Sequence, residues 1–292
     1  MKKVQIVSPA SICPINTKEK AKINAFFKNN HYTVSWAKYA LKQATTEQKT
    51  ADLMNAFESN SDIILSLRGG YGSIKLLNQI NWKKLKKSSS LFVGFSDLTT
   101  FQNAYYTKTG KPSLTGFIAK DILNLNKTSD ESNLFWQIIN GADIQFCNCP
   151  VLSKGTKEKV TGTLVGGNLS CFVTLLGTPY MPNLQNKILL LEDVCEPPYK
   201  IDRMLTHLKL AGVFEKIKGI VLGNFYQCTN ETQPQNINDT LKEFFQNCKL
   251  PVLQCVAYGH QPHHMCLPIG TKTTLNTKEN SLIIDGIKIR TK

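Results

Sequence analysis

The strongest constraint on the fold is an event repeated in the first 120 residues: a short, mostly apolar run ends abruptly in a turn of small residues. Residues 4–8 (VQIVS) stop at Ser8-Pro9, residues 62–67 (DIILSL) run into Arg68-Gly-Gly-Tyr-Gly72, and residues 91–94 (LFVG) open into Ser96-Asp97. Short runs without a polar face are the pattern of parallel strands covered on both sides. Between them lie segments with helical spacing: 18–29, with Ile23, Phe26 and Phe27 recurring, 46–60, with Ala51, Met54 and Phe57, and 73–80. Residues 32–36 supply one more strand. The alternation predicts an α/β fold, a mostly parallel sheet with helices on both faces.

The pattern changes after about residue 134. Residues 143–159 contain Cys149-Pro150, Gly155 and scattered lysines without a helical period, and read as a crossover. Beyond it, short strands at 160–165, 188–191, 219–223 and 281–284 mix with a helix over 199–211, where Ile201, Leu205 and Leu208 share a face. A polar loop at 227–238 precedes another helix near 241–247. The expected division is a domain at 1–145 and an α+β domain at 146–292.

Composition narrows the function classes. Of 292 residues, 41% are hydrophobic and 19% charged, enough for a packed core. The longest apolar runs, such as KILLL at 187–191, are far shorter than the roughly 18 residues of a membrane span. The 35 basic residues against 21 acidic give +14, but 32 of them are lysines and only Arg68, Arg203 and Arg290 carry a guanidinium. Base and phosphate readout favours the planar arginine fork, so the excess reads as a solvated lysine surface rather than a nucleic-acid face. It can also attract an acidic substrate. Nine cysteines without a CxxC pair, and no apolar leader after Met1-Lys-Lys3, suit reduced thiols in the cytoplasm.

Four places could carry chemistry. Ser96, at a strand–turn–helix junction, has the setting of a nucleophile elbow, although Leu98 stands where G-x-S-x-G has its last glycine. Ser96 or Asp97 could equally cap the following helix. The glycines at 69, 70 and 72 can aim backbone N–H groups at an anion, or can serve only a tight turn. Glu192 and Asp193 end a buried strand, where a carboxylate can orient a histidine, bind a cation or cap a turn. Gly259-His-Gln-Pro-His-His264 holds three of the five histidines. It lacks the helix that presents H-E-x-x-H to zinc. His31 and His207 read as structural or exposed.

Together these places carry a resemblance that singly they do not. LRGGYGSIKLL at 67–77, VGFSDLT at 93–99, GTLVGGNLSCFVTLLGTPYMP at 162–182, LLLEDVCEPPYKIDRMLTHLKLAG at 189–212, GIVLGNF at 219–225 and GHQPHHMCLPIG at 259–270 follow one another as in the LD-carboxypeptidases. That family of serine peptidases also includes the microcin C immunity peptidases. The resemblance implies an N-terminal αβα sandwich-like domain, a smaller β-rich C-terminal domain and a groove between them. It maps a nucleophile onto Ser96, a triad carboxylate onto Glu192 and a triad base onto His260. The oxyanion would be held by the N–H groups of Asp97 and of Gly70, in preference to Gly69. It implies no metal or cofactor, a homodimer, and release of the terminal D-Ala from a murein tetrapeptide during peptidoglycan recycling. Two departures stand out: Thr115-Gly116-Phe117 where a His-Gly-Pro-like segment is expected, and Cys195 where glycine is frequent. The alternatives are hydrolysis of a peptidyl-nucleotide antibiotic and, from another class, a nonhydrolytic anion-binding module built on the glycine loop.

Overall fold

Two mixed β-sheets share the chain: the first takes one strand from beyond residue 145, and residue 145 itself lies in an edge strand of the second. The structure is a computed structural model that describes residues 2–125, 130–229 and 236–287, except the side chains of Cys255 and Val256. Part of the polar stretch 227–238, residues 230–235, lies outside the described residues.

The first sheet runs Leu267–Ile269, Ser113–Thr115, Leu91–Gly94, Ile63–Ser66, Lys2–Val7, Tyr32–Trp36. Its last five strands are mutually parallel. The two central ones, Ile63–Ser66 and Leu91–Gly94, are buried throughout, as their unbroken apolar runs require. Helices Thr17–Lys28 and Thr46–Glu58 each begin with a capping box, Asn16 with Glu19 and Thr45 with Gln48, which holds two otherwise unpaired N–H groups at each start. From Lys2–Val7 the sheet grows one way to Tyr32–Trp36 and the other way to Ile63–Ser66. The loops after Lys2–Val7 and Ile63–Ser66 therefore border the crevice where strand order reverses, the usual ligand position in such sheets.

The second sheet runs Ile144–Phe146, Ser281–Ile284, Lys272–Asn276, Lys159–Asn168, Lys187–Val194, Gly219–Tyr226, Val252–Gly259, Val151–Ser153. Four central strands, from Lys159–Asn168 to Val252–Gly259, are parallel, and antiparallel strands flank them. The stretch expected to be a plain crossover thus supplies both edges of this sheet, Ile144–Phe146 and Val151–Ser153. Three-residue strands have no period to read. Strand Leu267–Ile269 leaves the C-terminal half to pair antiparallel with Ser113–Thr115. One buried cluster accordingly runs from Val4 and Leu65 through Tyr258 to Leu164 and Leu275.

Residues 73–79 form a 3-10 helix, Ser73–Gln79, rather than an α-helix, and the helix after Ser96 is Thr99–Thr109. Lys83, Lys84, Lys86 and Lys87 are exposed on helix Trp82–Lys87, with Lys84 paired to Glu58 at 2.8 Å. The eight cysteines whose side chains are described are free thiols. No helix among the described residues is long and apolar enough to cross a membrane.

Candidate active site

Ser96 occupies a backbone conformation that its residue type avoids. Strand Leu91–Gly94 continues through extended Phe95 (φ −154°) into Ser96 at φ +64°, then into a 3-10 turn, Ser96–Leu98. A non-glycine residue held there stores about 1–3 kcal/mol of strain, which persists only where the surroundings enforce it. They do so on both sides. A Cβ on Gly94 would come within 3.0 Å of Leu98, and one on Gly69 within 2.7 Å of Ser96 Cβ and 3.1 Å of its Oγ. Only glycine at 69 lets the two loops approach so closely.

Neither Gly69 nor Gly70 donates its N–H to an acceptor among the described residues, although Gly70 is exposed and at φ +111°. Ser11 supports this loop from the crevice side: Ser11 N–H donates to Gly69 O at 3.3 Å, and Tyr71 N–H donates to Ser11 Oγ at 3.0 Å. From the other side, the buried Asp97 carboxylate accepts N–H bonds from Gly72 at 3.3 Å and Ser73 at 2.8 Å.

Glu192 lies on the buried strand Lys187–Val194, fully inaccessible, with its Oε2 2.7 Å from His260 Nδ1. Burial pushes the Glu192 carboxyl up, and the His260 hydrogen bond pulls it down. Its neighbour Asp193 points to the opposite face, as consecutive strand residues must. There Asp193 accepts from Asn168 Nδ2, Ser170 N–H and Val194 N–H, each at 2.9 Å, and from Ser170 Oγ at 2.5 Å. Asp193 is committed to anchoring the turn into helix Leu169–Val173, which leaves Glu192 as the carboxylate for the histidine. Gly223 makes room beside it, since a Cβ there would meet Glu192 Cβ at 3.0 Å and Tyr258 O at 2.5 Å.

The halves of the site meet through Phe95. Its ring centroid lies 4.4 Å from that of His260 and 5.2 Å from that of His264. Ser96, Asp97, Gly69 and Gly70 thus form one group, Glu192 and His260 another, and Phe95 joins them. No hydrogen bond links Ser96 Oγ to the His260 ring. The three histidines of HQPHH take separate carboxylates: His263 meets Glu131 at 3.0 Å and His264 meets Asp121 at 3.6 Å. Burial lowers the His264 pKa, but the Asp121 charge and the hydrogen bond from Nδ1 to Gln261 O at 3.0 Å outweigh it, so the net direction is up. His31 and His207 are exposed. Thr115, in the segment that departs from the family pattern, is buried and within 2.9 Å of the Tyr258 hydroxyl.

Sequence reasoning missed what aligns the two groups. Asn103, in the helix after Ser96, donates Nδ2–H to Gly166 O and accepts Gly166 N–H at Oδ1, both at 2.9 Å. Thr99 Oγ1 accepts Asn168 N–H at 3.0 Å, and Asn168 stands opposite Glu192 in the parallel ladder. Gly166 and Gly167 at φ +112° and +133° permit this approach. The signal was the pair Gly166-Gly167 inside a strand, where glycine marks a close backbone neighbour.

The profile of the LD-carboxypeptidase N-terminal domain matches residues 4–116, and that of the LD-carboxypeptidase C-terminal domain matches residues 161–275. The murein tetrapeptide carboxypeptidase of Pseudomonas aeruginosa is 28% identical over 82% of this chain and 80% of its own. Among solved structures, the muramoyltetrapeptide carboxypeptidase of Oxalobacter formigenes superposes with a TM-score of 0.83 at 27% identity, over 97% of this chain and 99% of its own. An MccF-like protein from Bacillus anthracis shares the fold, with a TM-score of 0.84 at 24% identity over 98% and 97% of the two chains. With the N-terminal and C-terminal domain profiles both matched, in order and over most of its length, the chain belongs to the LD-carboxypeptidase family.

Proposed function

We propose that this chain is a serine-type carboxypeptidase that releases the terminal D-Ala from murein tetrapeptides, with Ser96 as nucleophile, His260 as base and Glu192 as its orienting carboxylate. The observation that carries this reading is the Glu192–His260 hydrogen bond of 2.7 Å, on a histidine packed against the residue that precedes the strained Ser96.

In this mechanism His260 takes the Ser96 Oγ proton as the oxygen attacks the scissile carbonyl. Glu192 accepts from Nδ1–H, selects the tautomer with a free Nε2 and stabilises the imidazolium. The oxyanion is received by the N–H of Asp97 and of Gly70, whose exposure favours it over the buried Gly69. Each such donor is worth roughly 2.7–4 kcal/mol. The protonated His260 then gives its proton to the leaving amine of D-Ala, and water hydrolyses the acyl-enzyme by the same route. No step calls for a metal. The reading extends to a homodimer, a division near residue 145 and action on wall fragments in the cytoplasm.

The names of the relatives support the tetrapeptide substrate. MccF, solved in complex with glutamyl sulfamoyl guanosine, shares the fold, so the decisive measurement compares substrates. Purified protein is incubated with a murein tetrapeptide, a pentapeptide ending in D-Ala-D-Ala, and a peptidyl-nucleotide, and the products are weighed by mass spectrometry. Loss of one alanine from the tetrapeptide alone is expected. Preferential cleavage of either other compound would overturn the assignment.

A further inference from the structure

The mechanism above draws its two oxyanion donors from different loops, one after Ile63–Ser66 and one after Leu91–Gly94. The register between these strands runs from Ile63↔Leu91 to Leu65↔Val93 and stops there, so no ladder connects the loops beyond it. The first loop also has Gly70 and Gly72 at φ +111° and +117°, a backbone with little intrinsic stiffness. A separate device has to set the distance between the donors.

We propose that the Asp97 side chain is that device, a positioning group that clamps the glycine loop to the nucleophile turn. The residue is 6% exposed, and its carboxylate has no cationic partner within 4.0 Å among the described residues. Backbone hydrogen bonds from Gly72 at 3.3 Å and Ser73 at 2.8 Å occupy one oxygen each. The main chain of the same residue completes the lock: Asp97 O accepts from Ser73 Oγ at 2.6 Å and from Thr100 Oγ1 at 3.1 Å. Ser73 Oγ and Thr100 Oγ1 also touch at 2.5 Å. One residue thereby supplies an oxyanion donor through its N–H and fixes the loop that carries the other. Burying a carboxylate without a cation is costly unless several N–H donors face it. That burial is offset by the N–H groups of Gly72 and Ser73, the same bonds that hold the glycine loop. Its return is alignment, because a misplacement of about 1 Å in such a site can lose 10²-fold in rate.

This inference rests on Ser96 being the nucleophile, and its test separates the two. Asp97→Asn keeps one side-chain acceptor oxygen, Asp97→Ala keeps none, and Ser73→Ala removes only the hydroxyl contacts with Asp97 O and Thr100 Oγ1. With murein tetrapeptide as substrate, kcat should fall about 10-fold for Asp97→Asn and about 10²-fold for Asp97→Ala, with KM within about twofold, by the scale of a misaligned oxyanion site. Affinity for a peptide boronate, which forms a tetrahedral adduct on Ser96, should fall in parallel, while affinity for the product tripeptide stays unchanged. Hydrogen–deuterium exchange of the segment 68–76 should accelerate in the order wild type, Ser73→Ala, Asp97→Asn, Asp97→Ala. Wild-type kcat in Asp97→Ala, or exchange in that segment equal to wild type, overturns the clamp. Absence of peptidase activity in the wild type would remove the Ser96 reading, and the exchange order alone would then decide whether Asp97 holds the loop.

Discussion

The imidazole of His260 lies against the ring of Phe95, centroid to centroid 4.4 Å, so this histidine is held beside the residue that precedes Ser96. A histidine brought from one sheet is thus registered on a strand of the other. Its second constraint, the 2.7 Å contact with Glu192, fixes ring rotation.

Ser96→Ala should abolish release of alanine while leaving the thermal midpoint within about 2 °C of wild type, a ΔΔG of under ~1 kcal/mol for a protein of this size. The substitution removes one half-buried oxygen and no hydrogen bond between Ser96 and the His260 ring. Residual cleavage near the wild-type rate would refute the nucleophile assignment.

Glu192→Gln and Asp193→Asn should separate activity from architecture. The first should lower kcat by roughly 10³–10⁴-fold, the scale on which a triad loses its orienting carboxylate. The second should mainly lower stability, because Asp193 anchors Asn168, Ser170 and Val194. Urea unfolding alongside steady-state kinetics checks both, and a larger kcat loss in Asp193→Asn would reverse the choice.

Gly69→Ala and Gly72→Ala should fail in different ways. At Gly69 the new methyl would fall 2.7 Å from Ser96 Cβ, so kcat should drop by at least about 10²-fold through displacement of the nucleophile. At Gly72 there is open space, but φ is +117°, so the cost should be one of stability, of order 1–2 kcal/mol. Kinetics and melting curves on the two variants give the comparison.

The His264–Asp121 pair should make stability pH-dependent. The folded-state pKa of His264 is raised above its ordinary value of 6.5, so the pair's contribution is complete below that pH. It is lost as pH rises through the folded value. The melting-temperature gap between wild type and His264→Gln should therefore be largest at mildly acidic pH and shrink under alkaline conditions. A gap that widens with pH would contradict the sign.

Because His260, His263 and His264 each face a different carboxylate, chelation should leave activity unchanged, and His263→Ala should be mild beside His260→Ala. Equal losses in both variants, recovered on adding zinc, would assign these histidines to a metal instead.

The chain announces its parallel strands and the turns at their ends through local means: apolar runs with no polar face, and glycines or small residues where the backbone turns sharply. Residues 62–72 and 91–97 could be placed on strand ends for that reason. Period-two alternation likewise puts Glu192 and Asp193 on opposite faces, but not on known ones. Which carboxylate meets a histidine depends on contacts across 68 positions for Glu192 and His260, and 25 for Asp193 and Asn168. The same holds for Asn103 against Gly166, 63 positions away, and for Leu267–Ile269, a three-residue strand too short to have a period. Such pairings are selected by the packing of the whole core rather than by any segment's own preference. Local sequence therefore determined where reactive residues could stand, and tertiary packing decided which of them meet.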